Sequence, residues 1–210
     1  MRVAAPGRSP VQAWAVASAL ILTLVVGVAG CQEAQSFNGN VVEPPRPAPE
    51  LPGTNWDGEP FRLSERRGKV TVLFFGYTFC PDICPMTLTK MRRVEEGLGD
   101  RADDLEVVFV SVDPHRDGVE KLSGYVPNFD QSFYGVHLTF DELERVKEDF
   151  GITVQYSQPK DGPGSDSYYY VDHTGTYFVL DRQGRIRLEY PPTATPEQMI
   201  PDIETLIAAG

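Results

Sequence analysis

The stretch KVTVLFFGYTFCPDICPM, Lys69 to Met86, decides the fold. Its first half, Lys69 to Tyr77, is a short, nearly continuous run of β-branched and aromatic residues, the pattern of a central strand buried on both faces. Its second half places Cys80 and Cys84 in the loop after that strand, each followed directly by a proline. Pro85 suits the first position of a helix, which makes Cys84 the expected N-cap. Met91, Val94 and Leu98 then fall on one helical face, while Lys90, Arg92, Arg93, Glu95 and Glu96 fill other positions. This amphipathic helix is expected to end near Gly99.

Working outward, LEVVFVSVD (Leu105 to Asp113) reads as a second buried strand, and strand, helix, strand at this spacing implies a right-handed parallel crossover. DELERVKEDFG is a helix with Asp141 as the expected N-cap and Gly151 as its stop. TYFVLDRQGRIRLEY (Thr176 to Tyr190) is a hairpin turning at Gln183 and Gly184. The C-terminal TPEQMIPDIETLIAA opens with Thr195 as N-cap, Pro196 at the first helical position and Gln198 completing a capping box. Pro201 conflicts with an uninterrupted helix, so a later start is expected. The class is α/β: a central mixed sheet flanked by helices, with a closing hairpin and a terminal helix.

The N-terminal end carries two arginines, Arg2 and Arg8, then an uncharged run, then VAGC. A basic start, an apolar stretch and small residues before a cut make residues 1–30 a secretory signal. From Trp14 to Gly30 the run is 17 residues, at the short edge of the roughly 20 that span a bilayer. VAGC also resembles a bacterial lipobox, so Cys31 is expected to be lipidated, with an uncleaved transmembrane anchor as the alternative. Either reading places the domain outside the cytoplasm, held to a membrane. Loss of residues 1–30 removes two positive charges and no negative ones, taking the formal net charge from −11 to −13. Such a surface repels phosphate backbones and excludes a nucleic-acid partner. Residues 31–52, with prolines at 44, 45, 47, 49 and 52, read as a semi-extended tether. Residues 53–210 are then one ordinary domain.

Three chemistries compete for Cys80 and Cys84. A thiol at a helix N-terminus faces partial positive charge and free N–H groups, so Cys84 is expected to be the reactive thiolate. A purely structural disulfide would close only a five-residue loop, the least stabilising kind, in a domain large enough to need no staple. Two thiolates are too few for a closed zinc site but suit copper once an imidazole joins them. His137, in YGVHLTF, reads as a strand or surface histidine, and His115, in VDPHRD, as part of a solvated loop. His173 lies in the turn ahead of the hairpin strand, beside Asp172 and small residues. In a thioredoxin-type topology that turn packs over the cysteine loop, which makes His173 the candidate third ligand.

The segments GYTFCPDICPMTL (Gly76 to Leu88), VSVDPHRD (Val110 to Asp117) and VDHTGTYFVLD (Val171 to Asp181) together resemble the Sco/SenC family. Those are thioredoxin-like copper-binding proteins that assist assembly of the dinuclear copper centre of cytochrome c oxidase. The resemblance implies that Cys80, Cys84 and His173 are copper ligands for Cu(I) or Cu(II), and that Asp113 and Arg116 belong to a family loop. Asp113 has the alternative of simply capping a strand end, and His115 is not implied as a fourth ligand. The implied protein is a metallochaperone rather than an enzyme, lipid-anchored on a bacterial cell membrane and facing the periplasm or the cell exterior. Implied partners are the copper-bearing oxidase subunit and other copper carriers or thiol–disulfide proteins. The rival is a thiol–disulfide oxidoreductase acting on the oxidase's cysteines through Cys80 and Cys84, against which stands their three-residue spacer. QPKDGPGSDS, Gln158 to Ser167, reads as a flexible insertion rather than a partner surface.

Overall fold

The computed structural model describes residues 36–157 and 169–210. The signal, Cys31 and the 158–167 loop therefore lie outside the described residues. Strand β4 (Val70–Gly76) is buried at every position, as its unbroken apolar run requires. It pairs in parallel with β5 (Leu105–Ser111) on one side and antiparallel with β9 (Tyr177–Leu180) on the other. Between β4 and β5 runs α1 (Ile83–Leu98), which buries Cys84, Leu88, Met91, Val94 and Leu98 and stops at Gly99, whose φ is 55°. Two strands running the same way need such a crossover.

The other strands of the main sheet are β1 (Asn40–Pro47), β2 (Pro52–Asn55), β3 (Pro60–Arg62), β6 (Tyr134–His137) and β10 (Arg185–Tyr190). They complete an eight-stranded mixed sheet in the order β1-β10-β9-β4-β5-β6-β2-β3. Neighbouring residues of β4 face opposite layers. Phe74 meets Phe109 and Tyr177, whose hydroxyl lies 3.0 Å from that of Thr87 on α1. Phe75 meets Phe150 of α3 (Phe140–Phe150) and Phe178. The short α2 (Val119–Ser123) follows β5, and α4 (Pro196–Ala208) packs against α1.

Residues 40–52 correct the expectation of a tether. The compact unit begins at Phe37, and β1 pairs antiparallel with β10, with a register shift between Val41 and Arg46. Proline removes a ladder donor, but β1 is an edge strand, where half of those donors face outward, and Pro44 and Pro45 fall inside the shift. Leu51 is fully buried. Asp202 fastens the entry of the chain, accepting from the backbone N–H of Asn38 at 2.7 Å and of Gly39 at 3.0 Å, and from the Tyr190 hydroxyl.

Three helix starts differ from expectation. Met86 N–H donates to Asp82 O at 3.2 Å, so α1 is capped at Asp82 and Cys84 is its second residue. Pro85 still sits in the first turn, where its missing N–H has no helical partner to lose. In α3 the cap is Thr139 rather than Asp141, because Thr139 and Glu142 form a capping box. In α4 the Thr195–Gln198 box forms as read, but the helix runs straight through Pro201. Pro201 and Glu197, the residue whose carbonyl loses its donor, are both exposed, so water can serve that oxygen.

Candidate metal centre

At the end of β4 the chain turns through Tyr77, Thr78 and Phe79 before reaching Cys80. Gly76 has a local reason to lack a side chain: a Cβ there would lie 3.0 Å from Cys84 Sγ and 2.5 Å from the Phe109 ring. The Cys84 sulfur therefore rests against the strand end. Cys84 is only 2% exposed, Cys80 is partly exposed in the loop, and both are free thiols. The Cys84 backbone N–H points at Cys80 Sγ, 3.4 Å away.

This asymmetry reverses the expectation that Cys84 is the reactive thiol. Cys80 is held down at about 5, chiefly by a hydrogen bond from the Cys84 side chain; burial opposes this, while the Asp82 and Cys84 N–H groups and His173 assist. The Cys84 thiol is pushed up, because it donates that bond and is buried. A helix N-terminus does favour a thiolate here. The sulfur that benefits is the one lying in front of the N–H groups, not the one inside the first turn.

His173 is the last residue of β8 (Val171–His173), which pairs with β7 (Val154–Tyr156) in a separate two-stranded sheet. Its Nε2 lies 3.9 Å from Cys84 Sγ, across 89 positions of sequence. Its Nδ1 is 3.0 Å from the Thr174 carbonyl oxygen. A proton on Nδ1 donates there and leaves the Nε2 lone pair facing the sulfur. The Tyr77 ring meets the imidazole edge-on, with centroids 6.0 Å apart. With metal–sulfur and metal–nitrogen bonds of about 2.3 and 2.0 Å, two such donors on one ion stand about 3.5 to 3.7 Å apart at tetrahedral to trigonal angles. The observed 3.9 Å is close to that spacing. Among the described residues no group of three His, Cys, Asp or Glu side chains is already at metal-ligand spacing. Two sulfurs and one imidazole form a soft set that fits copper.

His115 is exposed, and His137 Nδ1 lies 2.9 Å from the Asp117 carbonyl oxygen, at the end of β6. The SCO1/SenC family model matches residues 48–208. The chain belongs to the SCO1/SenC family. Sco1 from Thermus thermophilus, solved as the apo protein, is 36% identical, with a TM-score of 0.72, over 83% of this chain and 99% of that one. ScoI from Bradyrhizobium japonicum, solved with copper bound, is 30% identical, with a TM-score of 0.67, over 76% and 98%. A SCO2-like protein from Rickettsia prowazekii is 32% identical over 129 residues, which cover 61% of this chain and 62% of that relative's length. The fold is thioredoxin-like, as the resemblance implied, and the mixed α/β sheet is the one the order of elements led us to expect.

Around the thiols of this SCO1/SenC domain lies a layer of residues that carry no metal-ligand pattern in the sequence. Buried Asp117 accepts from the Thr78 backbone N–H at 2.8 Å, the Thr78 hydroxyl at 2.6 Å and the Ser111 hydroxyl at 2.8 Å. Burial nevertheless pushes its carboxyl upward. Asp113 is fully buried and does more than cap a strand: it accepts from Arg116 Nε and, at 2.7 Å, from the Tyr169 hydroxyl. Asp117 and Tyr169 went unread because their partners are distant in sequence. The only signals for them were the second acid of DPHRD and the tyrosine run before His173.

Proposed function

We propose that this chain is a metallochaperone that binds copper through Cys80, Cys84 and His173 and delivers it to the copper-bearing subunit of cytochrome c oxidase. The observation that carries this reading is the 3.9 Å approach of His173 Nε2 to Cys84 Sγ. The copper described in the Bradyrhizobium japonicum relative supports the choice of ion. Two thiolates and a neutral imidazole carry −2, so Cu(I) leaves −1 on the site and Cu(II) leaves zero. The charge of the site thus follows the oxidation state of the cargo. If Cys80 and Cys84 lose two electrons and two protons to a partner disulfide, which becomes a dithiol, they form their own disulfide and lose the thiolates that hold the metal. We further propose that residues 1–30 are a signal and that Cys31 carries lipid, holding the domain on the periplasmic or outer side of a bacterial membrane.

A second reading, thiol–disulfide exchange on the oxidase's cysteines, is favoured by one feature: an accessible low-pKa Cys80 beside a buried Cys84 is an attacking thiol with a resolving partner. Copper titration of the reduced full-length chain and of His173→Ala separates the two. Loss of copper with exchange retained makes the chemistries separable. Wild-type copper affinity in His173→Ala refutes the metal site.

A further inference from the structure

His173 does not ride on the main sheet. It ends a two-stranded appendage, β7–β8, whose backbone–backbone bonds, among the described residues, run between its own strands and their flanks, such as Ser157 N–H to Tyr170 O at 2.9 Å and Thr174 N–H to Thr153 O at 3.1 Å. Side chains must therefore fix this appendage against the body. Three such bonds meet at the turn that follows β5, and a further one runs from the Val171 N–H to the Tyr77 hydroxyl at 3.4 Å. Tyr156 hydroxyl donates to Val112 O at 2.7 Å, Tyr169 hydroxyl to Asp113, and Arg116 Nη1 to the Tyr169 carbonyl at 3.0 Å. The Arg116 guanidinium lies 3.5 Å from the Tyr169 ring centroid and 4.8 Å from that of Phe79, the residue before Cys80. One planar cation thus touches both the segment leading to His173 and the loop leading to Cys80. Four residues on from Asp113, Asp117 grips the same cysteine loop through Thr78.

Resting on the copper reading above, we infer that the turn Asp113–Asp117 is a clamp that sets the Cys–His spacing: Asp117 holds the cysteine loop, while Arg116, oriented by Asp113, holds the histidine hairpin to it. These are positioning residues and touch no metal. The flat face of arginine is needed because it stacks on Tyr169 and Phe79 while its edge bonds Asp113 and the Tyr169 carbonyl; lysine keeps the charge and loses both contacts.

The test uses the full-length chain, with Arg116→Gln, Arg116→Lys, Tyr169→Phe and His173→Ala. Groups that orient a ligand typically change metal affinity by about 10- to 100-fold, so Arg116→Gln is expected to weaken copper binding within that range, with Arg116→Lys rescuing little. Because the clamp acts through the imidazole, Arg116→Gln combined with His173→Ala should bind copper within about twofold of His173→Ala alone. Without metal, Arg116→Gln should speed hydrogen exchange at Val171 to His173 by roughly tenfold or more while Thr71 to Phe74 stay protected. Should Arg116→Gln lose protection everywhere, Tyr169→Phe, which removes a single hydroxyl, decides by the same two comparisons. Additive copper losses, or an unchanged hairpin exchange, overturn the clamp. Failure of the wild-type chain to bind copper would sink the proposed function, and the metal-free exchange would then decide the clamp by itself.

Discussion

Cys80 and Cys84 should differ sharply in how their chemistry follows pH. Cys80 titrates at about 5 because the Cys84 thiol donates to it. At about pH 5.5 it is then about three-quarters thiolate, against about one part in a thousand for a thiol titrating near 8.5. A thiolate of lower pKa is a weaker nucleophile, and a Brønsted slope of about 0.45 across about 3.5 units takes back roughly 40-fold. Cys80 should thus alkylate roughly 20 times faster than an ordinary thiol at about pH 5.5, yet about as fast near pH 7. The distinguishing feature is the profile: flat through neutrality, then falling as pH drops through about 5. Iodoacetamide labelling of the reduced chain, followed by mass spectrometry of the cysteine peptides, measures it. Cys84→Ala removes the largest influence on Cys80 and should move the midpoint upward. A wild-type midpoint near the ordinary thiol value, or one unchanged in Cys84→Ala, refutes the reasoning.

Two further substitutions probe the frame. Leu51→Ala empties a fully buried position in the segment next to β1 and should destabilise the protein by about 2 to 5 kcal/mol in urea unfolding; a change well under about 1 kcal/mol would return residues 48–52 to a tether. Gly76→Ala drives a methyl against Phe109 and the Cys84 sulfur, so it should cost about 1 to 3 kcal/mol and shift the Cys80 alkylation profile through displacement of its partner. Unaltered stability together with an unaltered profile would show that the close approach at Gly76 is not needed.

How far these features were legible in sequence depended on whether their cause was local. β4, β5 and the β9–β10 hairpin announce themselves because strands buried in a central sheet need unbroken or alternating apolar runs with turn residues between them. The α4 capping box was readable for the same reason, and Thr139–Glu142 carries the same spacing, although Asp141, also a residue type that caps helices, stands two positions closer to Leu143 in sequence. The proline-rich segment misled because proline composition reports on donors lost, whereas an edge strand beside β10 needs few of them and is anchored by buried Leu51 and by Asp202 at Asn38 and Gly39. Cys80, Cys84 and His173 were singled out through chemistry and resemblance, and the structure brings His173 to within 3.9 Å of Cys84. The relative acidity of the two thiols was not legible, since it depends chiefly on which sulfur donates the hydrogen bond between them, then on burial and on which lies in front of the α1 amides. Asp117, Tyr169 and the β7–β8 pairing are long-range arrangements whose members carry no periodic signal.

X-ray absorption of the copper-loaded, reduced full-length chain tests the convergence of Cys80, Cys84 and His173 on one ion most directly. Expected are two sulfur scatterers and one imidazole nitrogen, the nitrogen vanishing in His173→Ala and a sulfur vanishing in Cys80→Ser or Cys84→Ser. A copper shell without imidazole nitrogen, or one that His173→Ala leaves unchanged, would contradict it.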